Sequence, residues 1–261
     1  MEISESRAPL GAGSLRAATA RTTAWAGAEP ILLQEIPTVD ALVQRLDSTG
    51  HVAVAEQVSA GLGPVPNVPP GAALWAAVAV DVDGVEPARL GWRTHAVALA
   101  AVDALRDAGR VPAEIVWPTT LSVPGAMCGG DAGTRSVGVV DVRPGASRSI
   151  VVATIGVLVA LGTLELPKAT TSIYADGGVI DRTALLATYL PALERRVAQW
   201  RDADPTLPNA YRDRCQTLGR LVDVDGREGR VRSVDDAGRL VVDLSGELVA
   251  VAADRPAPVL L

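Results

Sequence analysis

Val116-Trp117-Pro118-Thr119-Thr120-Leu121 is the stretch of this 261-residue chain from which its fold is read. A short strand, Glu114 to Trp117, runs into a proline that has no amide to continue a ladder, so the chain turns there. Upstream, Thr94 to Ala108 carries small apolar residues at helical spacing (Ala96, Val97, Ala100, Ala101, Ala104, Leu105) and is stopped by Gly109. Downstream, Ser136 to Arg143 and Ser149 to Val159 read as paired strands around Pro144-Gly145. The apolar run Ile150 to Leu161 is too short to span a bilayer, which takes about 20 residues, and reads as a strand buried on both sides.

Further out, Ile31 to Ile36, His51 to Gln57 and Ala73 to Val82 are expected strands. Pro37-Thr38 opens an amphipathic helix through Leu46, with Thr38 as its cap and Ser48-Thr49-Gly50 as its stop. Ser59 to Gly71 (SAGLGPVPNVPPG) holds four prolines and three glycines without a charge, which excludes helix and inner strand. Asp181 caps a helix running to Trp200, with Leu185, Leu186, Tyr189, Leu193 and Val197 facing the core and the Arg195-Arg196 pair on its wet face. After Thr217, short strand-like runs alternate with turns at Asp225-Gly226, Asp236-Ala237-Gly238 and Ser245-Gly246, as in a small barrel. Three parts are expected: a loosely ordered arm at 1–29 with one short helix (Ser14 to Ala20), a main α/β domain at 30–214, and a barrel at 215–261.

Composition narrows the function. Hydrophobic residues make up 48% and charged residues 21%, which is globular; phenylalanine is absent, leaving tryptophan as the bulky core filler. A net charge of −6 argues against nucleic-acid binding driven by counterion release. With two histidines and two distant cysteines, no metal site is expected and a reduced, cytoplasmic chain is. No membrane association is expected.

Several landmarks, in order, carry a resemblance to the bacterial biotin protein ligases. Val116-Trp117-Pro118-Thr119-Thr120-Leu121 resembles that family's Lys-Trp-Pro-Asn-Asp-Val signature, and Gln57-Val58-Ser59-Ala60-Gly61-Leu62-Gly63 its Gln-Thr-Ala-Gly-Arg-Gly-Arg loop. Gly125-Ala126-Met127-Cys128-Gly129-Gly130 is similar to Gly-Lys-Leu-Ala-Gly-Ile, and Thr154-Ile155-Gly156-Val157-Leu158-Val159 to Gly-Ile-Gly-Leu-Asn-Val. Glu165-Leu166-Pro167 and Thr170-Thr171-Ser172-Ile173 resemble Glu-Leu-Pro and Ala-Thr-Ser-Leu. The resemblance implies a mixed sheet flanked by helices, followed by an SH3-like barrel. It implies the ligands biotin, ATP and Mg²⁺, a biotinyl-adenylate intermediate, a carrier-domain lysine as acceptor, and possible homodimers. By family position the ligand-pocket candidates are Thr38, Gln57, Gly61, Gly63, Trp117, Pro118, Gly129 and Gly156.

The same motifs hold the positions at which this chain departs from the family it resembles. It has one lysine, Lys168, a solvated loop residue, and no lysine or arginine between Leu46 and Ala88 or between Val111 and Thr134. Leu62 and Pro64 replace the loop arginines, with Asn67 near a third. Val116 and Ala126 replace the lysines, Thr119-Thr120 the Asn-Asp pair, and Leu158 the late asparagine. Adenylation builds charge on phosphate oxygens and needs fixed positive groups; losing one such donor costs about 10²–10³ in rate. The expectation is therefore a homologue without catalytic residues or turnover of the family's cofactors, acting as a small-ligand or protein-binding module. Arg135, Arg143 and Arg148 are the candidates to restore charge, and with them an active ligase of divergent mechanism is the alternative. Lipoyl or octanoyl transfer on Cys128 is a third. Trp117 is read as core rather than as a purine platform, and Gln57 equally as a ligand contact or a strand end. No DNA-binding role is expected, since the arm at 1–29 is shorter than the winged-helix domain of about 60 residues that dual-function ligases of the family carry.

Overall fold

A computed structural model describes residues 3, 7–46, 51–126, 132–178, 181–253 and 259–260. Its centre is a seven-stranded sheet built from β1 (Ile31–Ile36), β2 (Val52–Val58), β3 (Ala73–Asp81), β4 (Glu114–Val116), β5 (Thr120–Ala126), β6 (Ala132–Pro144) and β7 (Ile150–Leu158). The spatial order is β1-β2-β3-β7-β6-β5-β4; β1 and β2 run parallel and every other neighbouring pair is antiparallel. Four helices, α1 (Ala12–Thr19), α3 (Arg93–Asp107), α4 (Arg182–Arg201) and α5 (Thr206–Arg214), pack together, α4 against both α1 and α3. The one-turn α2 (Asp40–Val43) lies after β1.

Alternation along each strand divides the core in two. On β3, Leu74, Ala76, Val78 and Val80 join the cluster under the helices, while Ala73, Trp75, Ala77 and Ala79 join a second cluster on the opposite face. On β7, Ala153, Ile155 and Val157 face the helices, and Ile150, Val152 and Leu158 the other side. A strand buried on both faces has no polar side, which is why β7 shows no alternation in its sequence.

A second sheet of β8 (Leu221–Val224), β9 (Arg227–Val234), β10 (Leu240–Leu244), β11 (Glu247–Val251) and β12 (Val259–Leu260) is wholly antiparallel, in the order β11-β10-β9-β8-β12. Both two-residue hairpins, Asp225-Gly226 and Ser245-Gly246, hold two successive positive φ angles, the turn geometry that matches strand twist. This sheet is the expected small barrel.

Several local expectations are corrected. The arm is packed rather than loose: Leu10, Leu15, Ala18 and Trp25 are buried, and Glu194 of α4 accepts hydrogen bonds from the Thr23 and Ala24 amides. The helix after β1 is a single turn that tightens into i→i+3 bonds at Arg45 and Leu46. Thr38 does not cap it; its hydroxyl meets Asp40 Oδ2 at 3.5 Å and no helical amide. The expected stop at 48–50 lies outside the described residues. Asp181 does cap α4, accepting from the Ala184 amide at 2.7 Å. Arg195 and Arg196 are not a free wet face, because both grip Asp103 of α3 at 2.9 and 2.8 Å. Among the described residues, no helix is long and apolar enough to cross a membrane.

The seam between the two sheets is aromatic. His95 lies against Trp92 and Tyr211, with ring centroids 5.0 and 4.4 Å away, and Trp92 Nε1 donates to the Asp236 carbonyl of the barrel. His95 Nδ1 meets the Gly91 carbonyl at 3.1 Å, so that nitrogen carries the proton; Nε2 is buried without a partner. Burial lowers the His95 pKa from 6.5 to about 4. Between those values the unfolded chain binds a proton that the folded chain refuses. The His95 contribution is therefore full above pH 6.5, falls as pH drops towards 4 and is constant below, a loss of about 3 kcal/mol. Urea unfolding of the wild type and of His95→Gln at pH 7 and pH 4 checks this: the wild type should lose about 3 kcal/mol more on acidification than the variant. Equal losses would remove His95 as the cause.

Candidate functional site

Five of the eight candidate residues converge on the sheet face away from the four helices. Thr38 follows β1, Gln57 is the penultimate residue of β2, Gly61 and Gly63 lie in the loop after β2, and Gly156 lies in β7. The loop folds back on itself through reciprocal Leu62–Val65 backbone hydrogen bonds of 2.7 and 3.0 Å. Gly61 makes this turn possible: its φ is +68°, and a Cβ there would fall 2.4 Å from the Val65 carbonyl oxygen. Val65 and Val68 are thereby pressed into the second apolar cluster, with Leu62 packed against it. The Gln57 side-chain amide donates to Asn67 Oδ1 at 3.1 Å, so a residue at the position of a ligand contact now holds the loop.

Trp75 decides the shape of this face. It is 1% exposed. It lies across Gly156, where an added Cβ would meet the indole at 2.4 Å. The lack of a side chain at position 156 thus makes room for a tryptophan of the same protein. Leu158, Val152, Ala77 and Val139 complete the layer. One polar atom sits inside it: the Thr154 hydroxyl is buried and has no partner. Thr154→Val keeps the shape and removes that group, and is expected to raise the unfolding free energy by about 1 kcal/mol. A loss of stability in thermal or urea unfolding would show that the hydroxyl is satisfied after all.

Charge at this face is neutralised internally. Arg143 on β6 donates to Asp141 at 2.5 Å and also contacts Asp40 of α2. Burial raises the Asp141 pKa. Arg135, the second candidate cation, lies elsewhere: it pairs with Asp176 at 2.6 Å and contacts the Thr171 hydroxyl at 3.4 Å. Arg148 is an exposed turn residue and Lys168 an exposed loop residue.

The remaining candidates do not join this face. Trp117 is 1% exposed in the cluster under the helices, with its backbone amide bonded to the Thr217 hydroxyl, so the core reading holds. Pro118, on the far side of a cis bond, borders a cleft of ≈ 410 Å³ between the main sheet and the barrel, together with Thr119, Asp141 and Gly238. Two arginines line the same cleft. Arg93 donates to the Leu90 carbonyl at 2.7 Å, and Arg239 pairs with Asp235 at 2.7 Å. Sequence reasoning missed both, because they lie far from every motif position. Gly129 and Cys128 lie outside the described residues. Among those described, no cluster of three or more His, Cys, Asp or Glu side chains could hold a metal ion.

The mixed seven-stranded sheet with its appended five-stranded barrel is the biotin protein ligase fold. The ligase from Aquifex aeolicus in complex with biotin and ATP superposes with a TM-score of 0.71 at 16% identity, covering 89% of this chain and 98% of that one. A biotin protein ligase-like protein of unknown function from Silicibacter sp. gives a TM-score of 0.65 at 16% identity, over 85% and 94%. In sequence, the chain is 31% identical over 225 residues to the biotin–[acetyl-CoA-carboxylase] ligase of Mycobacterium tuberculosis, covering 79% of this chain and 78% of that protein. The chain belongs to the biotin–[acetyl-CoA-carboxylase] ligase family. No protein-family profile matches it.

Proposed function

We propose that this chain is a family member without biotinyl-adenylate chemistry, a non-catalytic module whose former ligand face has become core. The observation that carries this reading is the Trp75–Gly156 contact under a closed Val65–Val68 loop. A ligand lying on that face would have to displace a buried indole and a valine layer. Fixed positive charge, which the transfer of a nucleotidyl group requires, is represented on this face by Arg143, already held between two carboxylates. The module is proposed to act in the cytoplasm through its surface, on a protein partner such as a biotin-carrier-like domain or a second copy of itself. Calorimetric titration with biotin and with ATP·Mg²⁺ tests the idea. Neither ligand should bind at micromolar concentration, and micromolar binding of ATP·Mg²⁺ would sink it.

A second reading has one specific observation in its favour: Arg93 and Arg239 line the cleft beside Pro118 and Thr119. In an active ligase of divergent mechanism these guanidiniums would meet the phosphates. That reading requires biotin-dependent labelling of a carrier domain, abolished in Arg93→Ala and Arg239→Ala. No labelling with enzyme in excess over carrier would exclude it.

A further inference from the structure

The barrel leaves a strand edge open. In the order β11-β10-β9-β8-β12, β11 bonds to β10 on one side, and among the described residues no strand pairs with its other side. The two-residue turn at Ser245-Gly246 makes Leu244 and Glu247 the closing pair of the hairpin, which exchanges both hydrogen bonds. Alternation fixes the rest: Glu247, Val249 and Val251 turn their amides and carbonyls towards β10, and Leu248 and Ala250 turn theirs outward. The side chains divide in the same register. Val251 is buried and Val249 is half-buried against the core, while Ala250 is exposed and Leu248 is 66% exposed.

An open edge is a template for another strand unless charge, proline or a cover protects it. Both outer strands of the main sheet have such protection. β1 lies between Pro30 and Pro37 and exposes Gln34 and Glu35. β4 is covered by the chain at Cys215, where the Gln216 amide donates to the Ile115 carbonyl at 3.0 Å. β11 contains no proline, and its one charged residue, Glu247, is already paired with Arg227 of the same barrel at 2.8 Å.

We propose that β11 is a self-pairing edge: two copies of the chain join antiparallel through it, about a two-fold axis at Val249. In this register Leu248 of each copy lies opposite Ala250 of the other, and the outward groups of both residues form reciprocal hydrogen bonds across the axis. Glu247 falls opposite Val251, so no like charges meet. Neighbouring registers are worse. An axis at Leu248 would need the Gly246 amide, which already donates to Asp243 Oδ1 at 2.7 Å. An axis at Ala250 would need Ala252, which lines the cleft against the main sheet. The strand is thus its own complement, which is why the partner is a second copy. Pairing of so short a strand buries less than the roughly 1,200 Å² of stable complexes, so the dimer is weak and forms at high concentration. The pairing gives the proposed module its second-copy partner, and rests on that reading.

Sedimentation velocity on the full chain, from about 5 to about 500 μM, spans the range of a weak interface. The weight-average mass should rise with concentration towards twice that of the chain. Leu248→Lys puts a charge on the edge, and Ala250→Pro deletes an outward amide without touching the β10 ladder; each should weaken association by about tenfold or more. Cysteine cross-linking in a Cys128→Ser background reads the register. Val249→Cys should give a disulfide-linked dimer on mild oxidation, because the opposed residues of such a pair have Cα atoms about 4.5 Å apart. Glu247→Cys should not. A chain that stays monomeric, association unchanged in both edge variants, or cross-linking of Glu247→Cys as readily as of Val249→Cys would each overturn the pairing. The two readings fail separately: binding of ATP·Mg²⁺ removes the non-catalytic reading and leaves the sedimentation result standing, while a monomer removes the pairing and leaves a carrier-like partner.

Discussion

Replacing Trp75 with alanine is expected to destabilise the fold by about 3–5 kcal/mol, the usual range for deleting a large buried aromatic when its surroundings cannot collapse. Little collapse is available here, because the indole rests on sheet backbone at Gly156 of the adjacent strand β7 and shares its buried cluster with Ala73 and Ala77 of its own strand and Leu158 of β7. Gly156→Ala is destabilising for the opposite reason: its methyl group would fall within 2.4 Å of the ring. Overpacking of this kind costs roughly 1–3 kcal/mol. The two changes should not add. In the Trp75→Ala background the methyl enters vacated space, so the second substitution should be neutral or favourable. A double-mutant cycle by urea unfolding should therefore show a coupling of roughly 1–3 kcal/mol. Additive effects would mean that the indole does not lie over position 156, and the reading of this face as core would go with it.

The second large effect concerns the buried Glu56–Arg182 pair. Arg182→Ala is expected to cost about 3–5 kcal/mol, because it strands a carboxylate in a largely buried site. The Leu10 amide remains as its hydrogen-bond donor, and the Ala8 carbonyl loses its own. Replacing both partners, Glu56→Leu with Arg182→Leu, should be less harmful than Arg182→Leu alone, since no uncompensated charge stays behind. Denaturant midpoints of the three variants decide this. A double variant at least as unstable as the Arg182 single variant would show that the pair contributes through its backbone hydrogen bonds and not through charge neutralisation.

How much of this was legible beforehand depended on whether the signal was local. The α4 cap and its buried face at Leu185, Leu186, Tyr189 and Leu193 were, because helical spacing and an Asp before a helix are near-neighbour patterns. Both Gly-containing hairpins of the barrel were legible for the same reason. The α5 helix was not: Thr206–Arg214 is polar and has a proline at position 208, and it is fixed by tertiary contacts such as Tyr211 to the Pro118 carbonyl. Strand β5 was hidden by Pro124. The docking of the arm was invisible, since Arg7, Ala8 and Leu10 find their partners more than 40 positions away.

The site divides in the same way. That positive charge is missing at the motif positions is written in Leu62, Pro64, Val116 and Ala126. What fills the place of a ligand is not written there. Trp75 reads only as one more strand residue, and its position over Gly156 is set by the antiparallel register of β3 with β7. The register also determines that Arg143 shares a face with the apolar layer while Arg135 does not.

Arg182 reaches back across 174 positions to the Ala8 carbonyl, and Arg7 across 153 to that of Ala160. At synthesis rates of about 5–20 residues per second, roughly 10–30 s pass between the emergence of the first segment and that of its last anchor. Throughout that interval on the ribosome the Ala8 carbonyl has no Arg182 to accept from, and the arm can reach its final place only after the start of α4 has left the exit tunnel.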